Sequence, residues 1–485
     1  MDFQNKKPSA SVKVVLITLL LQLMGFGLLH VYAQEEPPGL NTTISSIQIT
    51  GNKKTRGYII HRELLFDQGD TIVMKDLSKL VYQSRLNLLN TSLFSFVVID
   101  TVVRNDSGAM ASVDIKISLL ERFYIGLVPI LKINDRNFNV WLQTRDITHI
   151  NYGLGIKWRN FTGRMDEVSA VIQLGENHEF SLAYQDPYVD KRKRIGLGFE
   201  VAYLNNREAG YITENDKLVH GSISERFTTE KYFAVNSTFR KGIFITHQVI
   251  VGLHNYTFSD SLLFLNPDYS YPGVNEPLYI NIQYQLKIDH RDIKYYPLKG
   301  WYADIEFNKA GLGFSFEKPV NVAWIKTTTR LYSQIASRWF TGISFIGKIS
   351  SGAWQPYFLI RGLGYNRDYV RGYEYNVIDG KYYALMRSTI KYALVPERTH
   401  DLRFIPTSKF DRIHYAIYIT AFADAAYVWQ PQWVGQNNNL LPQTIIAGTG
   451  LGLDLVLDYD KVIRFEYAIN KSGKSGIFIH FIAGI

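Results

Sequence analysis

From about Tyr152 to the end of the chain, apolar and polar side chains alternate with a period of two. Ile280, Ile282, Tyr284, Leu286 and Ile288 fall on one face, with Asn281, Gln283, Gln285, Lys287 and Asp289 on the other. Leu451, Leu453, Leu455 and Leu457 alternate with Gly450, Gly452, Asp454, Val456 and Asp458. Trp301, Ala303, Ile305 and Phe307 alternate with Tyr302, Asp304, Glu306 and Asn308. Ile463, Phe465, Tyr467 and Ile469 alternate with Val462, Arg464, Glu466 and Ala468. That is the period of a strand, not of a helix. A soluble sandwich alternates too, with its polar face in water. Here the polar face is rich in Gly and mixed charges, the runs are about ten residues long, and aromatics recur near their ends. The pattern favours lipid outside and a wet lumen inside, with a large soluble β protein as the alternative. Spread over about sixteen strands, residues 149–485 leave roughly 21 residues for each span and its connection.

Composition narrows the chemistry. The 485 residues contain no Cys, which removes thiolate metal sites, thiol nucleophiles and redox pairs. Hydrophobic residues make up 46% and charged ones 20%, which is not a disordered composition. The 32 Tyr, 28 Phe and 8 Trp suit a wall with apolar and interfacial faces.

The first residues read as an address. Lys6, Lys7 and Lys13 precede an apolar run from Val14 to Leu29, and Val31-Tyr32-Ala33 then offers a cleavage-like site. Residues 1–33 are read as a signal peptide, with an uncleaved anchor as the competing reading. Three Lys and one Asp leave with it, so the net charge falls from +9 to +7. Downstream there is no second apolar run of helical spanning length.

Residues 34–122 form a separate unit with a different pattern. Ile47 and Ile49 mark a short strand that stops at Gly51-Asn52. Thr55 is placed to cap a helix through Ile59, Ile60, Leu64 and Leu65, and Gly69 ends that unit. Leu77, Leu80, Val81 and Leu88 have helical spacing. Val97–Val103, a turn at Asn105–Gly108, and Val113, Ile115, Ile117 and Leu119 complete a β-α-α-β-β order. The fold class is therefore mostly β: an antiparallel transmembrane β-barrel of about sixteen strands behind one small α+β domain. Residues 123–148 are read as a connecting segment and 149–485 as the barrel. Long connections fall at Thr257–Leu278, Lys309–Pro319, Ser351–Lys381 and Gln430–Gln443.

Several familiar motifs are absent. Ala468 stands where a phosphate loop ending in Gly473-Lys474-Ser475 needs its first Gly, and Leu453 breaks a dinucleotide pattern after Gly448, Gly450 and Gly452. There is no Gly-x-Ser-x-Gly elbow and no His-Glu-x-x-His pair among the 11 His. The reading is a non-enzyme with no metal, no cofactor and no nucleic-acid partner. Lys191-Arg192-Lys193-Arg194 is either a solvated loop or a contact for lipid phosphates, in a connection that strand parity places on the outer side.

Residues 41–121 resemble a POTRA domain of the BamA/TamA family of outer-membrane assembly barrels. The matching residues are Ile47 to Ile49, Gly51-Asn52, Thr55, Arg62-Glu63-Leu64, Gly69, Leu86, Leu93-Phe94 and the strand to Glu121. Gly153-Leu154-Gly155 with Asn160 and Gly163-Arg164 is similar to that family's first strand and hairpin. Asp186-Pro187-Tyr188 resembles a third-strand ending, and Asp289-His290-Arg291-Asp292 with Pro297 and Gly300 a mid-barrel turn. The most specific match is Val370-Arg371-Gly372-Tyr373. In the family this motif sits in the sixth outer loop, which folds back into the barrel so that its Arg meets acidic groups on the lumen wall.

The resemblance implies lumen partners for Arg371 at Asp424 and Glu466. It implies a barrel seam between Tyr152, Leu154 and Ile156 on the first strand and Ile477, Ile479 and Phe481 on the last. It implies a client-strand edge at Ile47 and Ile49. The function implied is insertion or translocation of outer-membrane or surface proteins, with a passive pore or surface antigen as the alternative. The implied location is the outer membrane of a Gram-negative bacterium, with the POTRA domain in the periplasm. Implied partners are unfolded protein clients, outer-membrane lipid or lipopolysaccharide, and accessory periplasmic or lipoprotein factors. Three departures stand out. The chain has room for one POTRA domain, which weakens the case for the usual accessory lipoproteins. Leu385–Leu394 offers Arg387 and Lys391 where the family often has a Glu. The chain ends Phe481-Ile482-Ala483-Gly484-Ile485, so Phe481 stands in for a terminal aromatic.

Overall fold

The computed structural model describes residues 41–104, 111–133, 150–185, 188–190, 194–222, 226–312, 320–352, 354–401, 412–429, 436–458 and 461–481. The leader at 1–33, the turn at 105–108, Asp186-Pro187, Lys191–Lys193 and Ala483-Gly484 lie outside the described residues.

The small domain runs β1 (Asn41–Thr50), α1 (Gly57–His61), β2 (Thr71–Val73), α2 (Met74–Asn90), β3 (Phe94–Arg104) and β4 (Ala111–Glu121). Its sheet order is β2-β1-β4-β3, with β1 and β4 parallel. The expected order gains β2, three β-branched residues that pair with Asn41–Thr43 after the turn at Gly69. Gly51 turns at φ +87, and a Cβ there would meet the Leu119 carbonyl oxygen at 1.9 Å, so only Gly fits. Ile44, Ile59, Ile60, Leu88, Phe94, Ile115 and Ile117 are fully buried between sheet and helices. Each contributes roughly 1.5–3 kcal/mol by leaving water. Thr55 does not cap the helix: the cap position is Arg56, with no side-chain capping bond. Thr55 is instead buried, its N–H donating to Glu121 at 2.7 Å and its hydroxyl 3.0 Å from that of Tyr124.

The second unit is a 16-stranded antiparallel sheet. Its strands begin with β5 (Ile125–Ile133), β6 (Ile150–Arg159), β7 (Glu167–Gly175), β8 (Asn177–Gln185) and β9 (Ile195–Asn206). A separate hairpin follows, β10 (Glu208–Glu214) and β11 (Lys217–Ser222). The sheet resumes with β12 (Thr228–Lys241), β13 (Ile245–Phe258), β14 (Leu278–Asp289), β15 (Gly300–Ala310) and β16 (Val322–Ala336). It ends with β17 (Trp339–Ser350), β18 (Tyr382–Asp401), β19 (Arg412–Trp429), β20 (Ile445–Leu457), β21 (Lys461–Asn470) and β22 (Ser475–Phe481). Apolar side chains such as Leu197, Phe199, Val201, Phe233, Val251 and Leu453 are exposed on the outer face. The inner face carries the buried charged and small residues. No helix among the described residues is long and apolar enough to cross a membrane.

The first strand of this sheet is Ile125–Ile133, not the strand of Tyr152. The wall therefore begins inside the segment read as a connector, ahead of residue 149. Pro129 in the middle of Ile125-Gly126-Leu127-Val128-Pro129-Ile130 hides it, because Pro is tolerated in a strand only at an edge. The extra strand reverses the parity of the early connections. The connection carrying Arg194 lies on the side of the small domain, where the Arg194 carbonyl accepts from the Arg240 N–H at 2.9 Å. It is not on the outer side. The long connections 259–277, 311–321, 351–381 and 430–444 fall on the far side.

The small domain sits across the near rim. The Arg56 N–H donates to the Gly163 carbonyl at 2.9 Å, and the Asn160 amide to the Thr55 hydroxyl at 2.9 Å. Asn90 donates to the Asp292 carbonyl at 2.7 Å, and Arg122 to the Asp458 carbonyl at 3.2 Å. The rings of Phe96 and His414 lie 4.5 Å apart. These contacts reach the β6–β7, β14–β15 and β20–β21 turns and the start of β19.

Candidate functional site

The connection 351–381 turns back into the lumen. Leu363, Val370, Tyr373 and Ile378 pack on Ile346, Leu385, Val428 and Ile446 of the wall. Gly372 turns the chain at φ +92, a conformation that favours Gly. The turn aims Arg371, which is only 4% exposed. Its Nε and Nη2 donate to the two oxygens of Asp424 at 2.8 and 2.6 Å. Nη1 donates to Glu466 Oε1 at 3.3 Å, and Nη2 also reaches the Ser388 carbonyl and the Thr389 hydroxyl at 3.1 Å. The guanidinium lies 3.9 Å from the centre of the Phe422 ring. A planar fork with a matching carboxylate is the geometry that makes a buried Arg tolerable. Gly448 leaves room beneath, since a Cβ there would sit 1.9 Å from the Arg371 carbonyl oxygen.

A second ionic pair lies one strand further round. Arg464 donates to both oxygens of Asp454 at 2.7 and 2.8 Å, and the Tyr296 hydroxyl donates to the same carboxylate at 2.7 Å. Strand parity places Asp454 and Arg464 on the polar face, but nothing in the sequence pairs them. The basic residues at Arg387 and Lys391 take a different role from the acid they replace. Arg387 donates to the backbone carbonyls of Arg367 and Tyr369, so it grips the loop by its main chain. Lys391 donates to the Pro297 carbonyl at 3.3 Å and lies 3.9 Å from the Tyr296 ring centre.

The seam residues divide. Tyr152, Leu154 and Ile156 lie on β6, where Tyr152 is paired with both Leu131 and Leu174. They are interior to the sheet, because β5 precedes them. The sheet edges are β5 and β22, and among the described residues neither pairs with the other. Ile477 and Phe481 face outward on β22 and are exposed, while Ile479 is half-buried.

Ile47 and Ile49 pair with Ile115 and Ile117 of β4. Their other flank is not reached by β2, which stops at Asn41–Thr43. Both side chains pack on the domain core. The wider open edge is β3, which among the described residues pairs with β4 alone and shows Val98, Val102 and Val103 to solvent. Val98 and Val102, both apolar on the solvent face, are the sequence signal for it.

The domain–rim contact is centred on Glu63. Arg240 donates to its two oxygens at 2.8 and 3.1 Å, and Arg62 donates at 3.0 Å. Burial pushes the Glu63 carboxyl up, but the guanidinium of Arg240, and then that of Arg62, outweigh it and hold it below the ordinary carboxylate value. Arg62 also stacks over Tyr188, its guanidinium 4.6 Å from the ring centre.

Comparison with known proteins follows the same division. Residues 160–485 match the Omp85 superfamily domain, and residues 42–122 match a POTRA domain described as a surface antigen variable number repeat. No curated protein matches the chain. Among solved structures, BamA from Haemophilus ducreyi lacking POTRA domains 1–3 is similar at 15% identity, over 91% of this chain and 83% of that one, with a TM-score of 0.49. CdiB from Escherichia coli is similar at 9% identity, over 98% and 99% of the two chains, with a TM-score of 0.47. CdiB from Acinetobacter baumannii is similar at 14% identity, over 91% and 73%, with a TM-score of 0.45. With its superfamily domain spanning well over half its length and one POTRA domain ahead of it, the chain belongs to the Omp85 superfamily, the outer-membrane β-barrels of protein assembly and transport.

Proposed function

We propose that this chain inserts or exports other outer-membrane or surface proteins, and that it works without catalysing a covalent reaction. The observation that carries the reading is the loop 351–381, clamped inside the barrel by Arg371 on Asp424 and Glu466, near the sheet edges β5 and β22, which do not pair with each other among the described residues. An unpaired edge in lipid leaves backbone groups unsatisfied, so it favours pairing with an incoming strand. Client strands would first add to an open edge of the POTRA sheet, at β3 or beside Ile47 and Ile49, by β-augmentation. They would then extend along β22 or β5. Burial of client surface and completion of hydrogen bonds drive the process, so no nucleotide is needed. The clients are unfolded outer-membrane or surface proteins. The POTRA domain stands in the periplasm, and lipopolysaccharide or phospholipid surrounds the wall.

The test is Arg371→Ala in reconstituted vesicles. Client insertion falls while the variant still reaches the outer membrane; unchanged insertion would sink the reading. A passive pore is the second reading. The loop-filled lumen and the domain across the near rim speak against it, because both obstruct the path of ions. Low, flickering single-channel conductance supports the assembly reading, and a steady large conductance supports the pore.

A further inference from the structure

Among the described residues, β22 pairs with β21 alone, and a cluster of further contacts reaches it from inside the lumen. His480 carries most of them. Its Nδ1 lies 3.3 Å from the Tyr369 hydroxyl, and its ring stacks on that of Tyr369 with centroids 6.0 Å apart. Its Nε2 lies 3.2 Å from Glu466 Oε2 and 3.8 Å from Glu374 Oε1. The other Glu374 oxygen accepts from the Gly372 N–H at 2.8 Å. Two residues before His480, Phe478 packs on Tyr375 with centroids 5.5 Å apart. Asn470, at the end of β21, donates to the Gly372 carbonyl at 3.1 Å.

These contacts share one geometry. Tyr369, Glu374 and Tyr375 flank Arg371 in the loop, and each meets β22. Glu466 is common to both sides, with Oε1 toward Arg371 and Oε2 toward His480. Arg464, directly opposite His480 in the ladder, donates to Asp454 and lies 3.8 Å from Glu466 Oε1, which leaves Oε2 to the ring. We infer that His480 is a positioning residue that couples the Arg371 latch to the terminal strand, so that the loop sets how far β22 can move from β5. The inference rests on reading the β5–β22 gap as the working seam, and it adds the residue through which the loop acts on that gap.

The chain has no Cys, so spin labels can be placed at Leu127→Cys on β5 and Ile477→Cys on β22, both exposed on the outer face. Distances between them are read in vesicles without client. His480→Phe keeps a ring on Tyr369 but removes both nitrogens. The distance distribution then broadens about twofold as a second arrangement becomes populated. His480→Gln, which keeps a donor toward Glu466, restores most of the narrow distribution. Arg371→Ala broadens it as well, and adding His480→Phe to that variant broadens it no further, because the two act through one connection. A distribution in His480→Phe as narrow as the parent's, in protein that still shows the folded barrel's gel mobility, overturns the inference. So does full additivity of the two changes. If His480→Phe fails to fold, His480→Leu takes its place: a broadened distribution supports the coupling, and one as narrow as the parent's overturns it. Client insertion is measured in parallel. A widened gap with unchanged insertion keeps the coupling and removes the seam from the assembly mechanism.

Discussion

Arg371 and Asp424, 53 residues apart in sequence, meet fork to fork, with Nε and Nη2 each donating to a separate carboxylate oxygen at 2.8 and 2.6 Å. Glu466 meets the same guanidinium through a single longer bond of 3.3 Å. The two acids are therefore unequal. Removing one partner of a buried ion pair costs about 3–5 kcal/mol because it strands the other charge. Asp424→Ala is expected to approach that range and to expose the loop to added protease. Glu466→Gln, which leaves the Asp424 fork intact, is expected to cost less than half as much. Urea unfolding of the detergent-solubilised barrel ranks them, and equal losses would contradict the geometry.

The fit beneath the latch gives an independent check. Gly448→Ala puts a methyl 1.9 Å from the Arg371 carbonyl oxygen, so either the loop or β20 must shift. Overpacking of this kind typically costs about 1–3 kcal/mol. The expected outcome is a loop as protease-sensitive as in Arg371→Ala. Gly57→Ala, where an added Cβ meets nothing within 4 Å, serves as the silent control.

Docking of the POTRA domain is expected to depend on pH through Glu63. Its carboxyl is held below the ordinary value of 4.5, so the folded state binds its proton more weakly than the unfolded chain does. Its contribution is therefore complete above that value and is lost as pH falls through the lower, folded value. A pair of labels at Tyr82→Cys and Trp339→Cys, both exposed, would report a closed rim at pH 7 and an undocked domain in acid. Glu63→Gln should loosen the rim at pH 7 and flatten this dependence, and a dependence that persists in the variant would assign it to other groups.

The sheet edges of the POTRA domain make competing predictions about capture. A photo-crosslinker at Val102 on β3 is expected to trap more client than one at Ile47 on β1. Ile47 packs on the core and has a short strand nearby, whereas Val102 lies on an edge that, among the described residues, no further strand covers. Equal or reversed yields in isolated outer membranes would move the capture site to β1.

Much of this architecture could be read in the chain itself. The alternation of Ile280 to Asp289 and of Leu451 to Asp458 has one structural solution, because a side-chain period of two fixes both strand and face. The alternation put Glu466 on the polar face, and the family resemblance supplied Arg371 and its partner Asp424. The strand at Ile125–Ile133 was not legible, because Pro129 erases the alternation and only an edge position excuses it. That omission displaced the seam by one strand and put Arg194 on the wrong side. Contacts of long range were equally hidden. No local pattern joins Glu63 to Arg240 or His480 to Glu374, since each pair exists only once the sheet has curled.

The POTRA domain touches the wall at Gly163, beside the strands that begin the sheet, and at Asp458, beside those that end it. It thus spans the gap between β5 and β22 as a splint spans a break. Splint and gap then share one free-energy balance. Whatever lengthens the gap strains the splint, and whatever frees the splint makes the gap cheaper to widen, by equal amounts in the two directions. Under the proposed function, a client strand that widened the seam would loosen the POTRA domain as well. Arg122→Ala, which severs the Asp458 anchor, should widen the Leu127–Ile477 label distance without any change to the latch.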